Sequence, residues 1–232
     1  MTDSRESLVG EVASGDEVPL DPATSAAVIA AQRARVLDET DVDGRLLFGV
    51  WGVAWLLGYG AMYLVAGDAP LLDWSPAAAG GIFAGLLLSA ALVTAVHIAR
   101  RTSGVHGESA ERGAMYGWAW FGGFAGVFAL AVALNRAGAD PVVVETAMSI
   151  VSPLVVGVLY VAGAAIWRDR AQFALGAWIL VVTIAAALVG MPHLLAVMAL
   201  AGGGGMLVGA AVEGVRRRRR APDDLALDIE VR

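Results

Sequence analysis

Six stretches of this chain are long and apolar enough to cross a lipid bilayer, and no other feature limits the fold so tightly. A helix needs about 20 apolar residues to traverse a hydrocarbon core roughly 30 Å thick. Residues 46–66, 76–99, 114–134, 142–167, 173–190 and 194–215 meet that requirement. Inside the core each backbone N–H and C=O needs a partner within the protein, so each stretch is expected as a helix. Composition agrees: 58% of the 232 residues are hydrophobic and 16% are charged, against roughly 25% charged in a soluble domain. Only Met191-Pro192-His193 separates the last two stretches, and Gly190 with Pro192 breaks what would otherwise be one overlong helix. The expected fold is an all-α integral membrane protein, a six-helix transmembrane bundle.

Orientation follows from arginine, since the 16 basic residues include no lysine. Fifteen of them fall on one side: the N-terminal arm with Arg45, the Arg100–Gly113 connection, Arg168, Arg170, the Arg216–Arg220 run and Arg232. Arg136 alone falls on the other side. Short basic flanks stay cytoplasmic, so both termini are expected in the cytoplasm and the protein in a plasma (inner) membrane as a multi-pass chain. The exclusive use of arginine reads as codon bias in a GC-rich bacterial genome.

Four regions are expected. Residues 1–20 are acidic and polar and read as disordered. They lack a charged-then-apolar signal peptide, so the first span is expected to insert uncleaved. Residues 21–44 hold a cytoplasmic helix, opened by Asp21-Pro22, and an acidic hinge. Residues 45–215 form the transmembrane domain, and residues 216–232 a polybasic stretch with an acidic tail. Each odd span opens on tryptophan and small residues, around Trp55, Trp120 and Trp178. That suggests either an interfacial aromatic belt or three tandem hairpins.

Within lipid, helices associate through close contact of small residues. Gly81 and Gly85 in the second span, Gly122 and Gly126 in the third, and Gly205 and Gly209 in the sixth recur at helical spacing and are expected at helix crossings. Gly202, Gly203, Gly204 and Gly205 run consecutively, which fits a very tight crossing or a deformable gate. Ionisable groups inside a membrane are functional candidates by default. Glu145, Ser149, Ser152 and Pro153 share one face of the fourth span and form the candidate polar face, open to a cation, a proton or a polar substrate; the alternative is that Glu145 sits in the first helical turn, favoured by the helix dipole and wetted at the interface. Pro153 is expected to kink that span, with Ser149 or Ser152 meeting the freed backbone groups.

Arg216, Arg217, Arg218, Arg219 and Arg220 are expected to face anionic lipid headgroups and to fix topology. The acidic tail that follows makes nucleic-acid binding a poor fit. Glu213 precedes Arg217 by four residues, the spacing of an intrahelical ion pair. There are no cysteines, so thiolate metal sites, iron–sulfur clusters and disulfides are excluded. No HExxH, GxSxG or Walker loop appears, and no catalytic residue, metal site or cofactor is expected. Six spans with both ends inside is similar to the topology of permease subunits of ABC exporters, without a shared residue motif. The expected function is a small transport component, a permease or accessory subunit, with a homo-oligomer, another membrane subunit or an ATP-binding subunit as partner. The alternative is a non-transporting scaffold or sensor acting through its cytoplasmic ends.

Overall fold

A computed structural model describes residues 21–40, 43–67, 69–102 and 107–230. The expected disorder of residues 1–20 lies outside the described residues, as do the side chains of Arg219 and Arg220. The helices are α1 (Pro22–Thr40), α2 (Gly44–Val65), α3 (Pro76–Arg101), α4 (Glu108–Arg136), α5 (Pro141–Trp167), α6 (Arg170–Val189), α7 (His193–Val197) and α8 (Gly204–Glu230). A π-helical turn, Met198–Gly203, joins α7 to α8. The described residues contain no strand. Six helices are long and apolar enough to span: α2 to α6, and the composite His193–Arg218. The chain is thus a multipass membrane protein, and an even count returns the two ends of the bundle to one side.

Local chemistry sets the helix starts. Asp43, Ser75, Asp140 and Asp169 each accept a backbone N–H of the first turn, at α2, α3, α5 and α6. Proline follows the cap at Pro76 and Pro141, where its missing N–H is harmless. Only Arg168 and Asp169 separate α5 from α6, and Arg168 takes the left-handed conformation, φ 55°, that reverses the chain. The helices run past the apolar stretches at their polar ends. α4 opens at Glu108 rather than at residue 114 because hydropathy marks the hydrocarbon core, not the helix.

α1 forms part of a separate unit, Met1–Asp41. It exposes Val28 and Ile29. The remaining unit, Val42–Arg232, has a four-helix core. α2 packs on α8 and the π turn, these pack on α6, and α6 packs on α5. Phe48 of α2 meets Tyr160 of α5 with ring centroids 6.4 Å apart, which closes the circuit. The other two spans flank this core: α3 lies along α2, and α4 along α5. In the flanking spans 6% of the apolar window is buried, against 33% in each of the other four. Six helices in a flat row would hold its ends about 40–50 Å apart at 8–10 Å spacing. The link from Arg101 to Glu108 reaches at most about 25 Å, so α3 and α4 stand on the same side of the core without packing broadly on each other.

Backbone-level contacts hold the core together. A Cβ on Gly203 would lie 2.5 Å from Leu56 N and 2.9 Å from Gly52 O. A Cβ on Gly176 would lie 2.9 Å from Val161 N and 3.0 Å from Gly157 O. Around these crossings Ile179, Leu194, Leu195, Met198 and Met206 are sealed from solvent. Such dense contact is what drives association where lipid removes the hydrophobic effect.

Candidate functional site

The candidate polar face lies on α5, one turn from its start at Pro141. Glu145 is half-buried, Ser149 is buried, Ser152 is half-buried and Pro153 is buried. With Val156, these residues follow the helical period, so Glu145 lies on the edge of the face that α5 turns to the core. Glu145 makes no hydrogen bond or ion pair among the described residues. The same holds for Ser149 and Ser152, so neither hydroxyl meets the freed backbone group as expected. Pairing between α5 and α6 is antiparallel: Gly163 meets Gln172, and Gly157 meets Gly176 and Leu180. The same register carried outward sets Ser149 level with Ala186, and Glu145 level with Gly190.

The four consecutive glycines have separate environments. A Cβ on Gly202 would approach the Trp55 ring at 3.1 Å, one on Gly203 would strike the α2 backbone, and one on Gly205 would fall 2.1 Å from Trp178 Nε1. Gly204 has nothing within 4 Å. Gly209 is in ordinary contact with Phe48 and Leu175. Trp55 and Trp178 thus clasp this segment from α2 and α6, and Trp178 Nε1 donates to Ala201 O at 2.9 Å. The π turn spreads the Gly204 N–H between Ala199 O and Ala201 O, and the indole adds a donor to Ala201 O from α6. Neither the π turn nor this hydrogen bond was legible in the sequence, which shows only an unusual glycine run and a tryptophan at an apparent interface.

Gly81, Gly85, Gly122 and Gly126 are placed differently from expectation. A Cβ on any of them would meet nothing within 4 Å, so they are not crossing points within this chain. They lie on α3 and α4, the flanking spans, together with Gly80 and Gly117, which are equally open. The helices are instead attached by other groups. Trp51 Nε1 of α2 donates to Thr94 Oγ1 of α3 at 3.0 Å. Tyr116 of α4 donates to Leu159 O of α5 at 2.7 Å, inside a ring cluster with Trp120, Trp167 and Tyr160.

A charged network ties the start of α2 to the last turns of α3 and the middle of α8. Arg45 binds the Asp43 carboxylate through Nη2 at 2.8 Å and Nε at 3.1 Å. Arg217 Nε lies 3.4 Å from Glu213 Oε1, the expected intrahelical pair, and 3.9 Å from Asp43 Oδ1. The Arg45 hydrogen bonds, helped by the Arg217 charge and opposed by burial, lower the Asp43 pKa from 3.8 to about 2. The Asp43 N–H donates to His97 Nε2 at 3.1 Å. Arg216 and Arg218 are exposed. The sequence places Asp43 in an acidic hinge, and only its position before an apolar run marks it as a cap.

On the opposite side, an open apolar groove of about 310 Å³ is lined by α2, α3 and their connection, including Leu57, Gly60, Leu72 and Trp74, with nothing from α5. Among the described residues no group of three or more His, Cys, Asp or Glu is placed to hold a metal ion. No protein-family model, curated protein or solved structure matches the chain.

Proposed function

We propose that this multipass protein is a small component of a membrane transport assembly, an accessory or permease subunit that works with neighbouring transmembrane chains. The observation that carries the reading is the pair of flanking helices. Glycine is about 1 kcal/mol less favourable than alanine within a helix. Facing lipid, it returns nothing for that penalty, because acyl chains fit a leucine surface equally well. Gly80, Gly81, Gly85, Gly117, Gly122 and Gly126 are all open in this fold. A helix from another chain can approach such a surface closely, which gives these positions a use. The transport sense of the reading comes from Glu145, a half-buried carboxylate in a spanning helix that has no partner among the described residues.

The absence of native cysteine makes the test direct. Ala129→Cys, on the exposed surface of α4 beside Gly126, is expected to cross-link to another transmembrane chain in native membranes. Leu188→Cys on α6, 84% exposed, serves as the control that does not. Migration of the Ala129→Cys protein only as the 23.9 kDa chain would count against the reading. A second reading, a scaffold or sensor acting through its termini, is favoured by α8 itself. That helix runs to Glu230, past the Arg218 end of the span by about 18 Å of helix. Removing residues 219–232 would abolish function under this reading and spare it under the first.

A further inference from the structure

Pro153 carries no amide hydrogen, so the carbonyl of Ser149, four residues earlier, has no helical donor. Both residues are buried, Ser149 to 8% exposure. Three other hydroxyls in these spans are satisfied locally: Ser89, Thr146 and Thr183 each donate to the carbonyl four residues back, at Gly85, Val142 and Ile179. Ser149 does not, and its hydroxyl has no hydrogen-bond partner among the described residues. Its Cβ tilts toward the helix start, so the hydroxyl leans toward the turn that holds Glu145. The Glu145 carboxylate is also without a partner among the described residues. The α5–α6 register carried outward sets two small residues, Ala186 and Gly190, opposite this face. A carboxylate, the hydroxyl of a buried serine and a released carbonyl thus follow one another inward along a single face of α5.

We propose that this face binds a small monovalent alkali cation, held by the Glu145 carboxylate and the Ser149 hydroxyl, with the Ser149 carbonyl as the next oxygen inward. All the donors are hard oxygens, which suit alkali and alkaline-earth ions rather than transition metals. One carboxylate balances one positive charge, whereas calcium sites gather several. An oxygen set freed by a broken helix and buried in protein is a form in which irregular backbone persists at membrane depth. The ion enters from the side opposite the arginine-rich ends, because Glu145 lies one turn from the start of α5 at Pro141. The proposal deepens the transport sense of the assembly reading. It is tested on the isolated chain, so loss of cross-linking leaves it standing and loss of ion binding leaves the assembly reading standing.

The experiment is thermal unfolding of the full chain in detergent, with lithium, sodium, potassium or choline chloride at fixed ionic strength. One alkali ion is expected to raise Tm saturably above the choline value. Glu145→Gln and Ser149→Ala are each expected to weaken that ion at least ten-fold. Pro153→Ala, which restores the amide that reclaims the Ser149 carbonyl, is expected to weaken it less. Trp118→Phe, exposed on α4, leaves it unchanged. Should Glu145→Gln fail to fold, Ser149→Ala and the line width of ²³Na resonance on the native chain decide. Equal Tm in choline and in every alkali salt, or a response that follows pH alone, overturns the proposal. So does an alkali response that survives both Glu145→Gln and Ser149→Ala.

Discussion

Gly203 and Gly204 are neighbours in sequence and opposite in consequence. At Gly203 a methyl group would press on the α2 backbone at Leu56, which cannot move aside as a side chain can. Gly203→Ala is therefore expected to lower stability by about 1–3 kcal/mol or more, the range for forced overpacking. Gly204 has open space, so Gly204→Ala is expected to raise stability by up to about 1 kcal/mol through helix propensity. Unfolding of the two variants in mixed micelles separates them, and equal effects would mean that the glycine run serves propensity rather than contact. Asp43 gives a second residue-scale prediction, in pH. Its pKa falls from 3.8 to about 2 on folding, so its contribution is complete above the higher value and vanishes as pH drops through the lower. Wild type should lose Tm across that interval, and Asp43→Asn should start lower and lose less. The sequence offers a tight crossing at the glycine run but not which glycine makes it, and shows Asp43 only as an acidic residue, because both depend on which backbone or guanidinium arrives from another helix.

At the scale of the element, the helices themselves were legible and their faces were not. Hydropathy finds each span because hydrocarbon demands an apolar surface all round. For the same reason it carries little record of which side meets protein. Gly52 and Gly157, which the spacing of small residues did not single out, prove to be crossing points, while Gly81 and Gly122, which it did, are open. The π turn is harder still to read, since it inserts one residue into a helix without changing its composition. Its stability has a specific support in the Trp178 indole. Trp178→Phe keeps most of the ring and removes the donor to Ala201 O. Loss of a hydrogen bond between spans typically costs about 1 kcal/mol, and a drop of that size in unfolding free energy is expected. Faster amide exchange confined to residues 198–205 would place the effect in the π turn. Uniform exchange along α8 would show that the indole supports the span as a whole instead.

For the whole molecule, the partition into four core helices and two flanking ones joins the residue and element scales. Glycines that touch another helix of this chain are sites where added bulk collides: at Gly58 a Cβ would lie 2.0 Å from the Phe83 ring, and at Gly157 2.7 Å from Leu180. Glycines of α4 that touch nothing have no such constraint from the fold. If the chain's complete structure were the single bundle, Gly122→Leu with Gly126→Leu would be silent or mildly stabilising in every assay. If α4 receives a span from another chain, the same pair leaves the monomer's Tm in detergent within about 0.5 kcal/mol of wild type, as for surface changes, yet abolishes cross-linking through Ala129→Cys in membranes. Gly58→Ala should behave in the reverse way, lowering Tm first and reducing cross-linking only through unfolding. The contrast distinguishes folding from assembly on one protein with one chemistry, because no native cysteine competes for the reagent. It also asks whether the seven open glycines of α3 and α4 are tolerated by lipid or required by a neighbour.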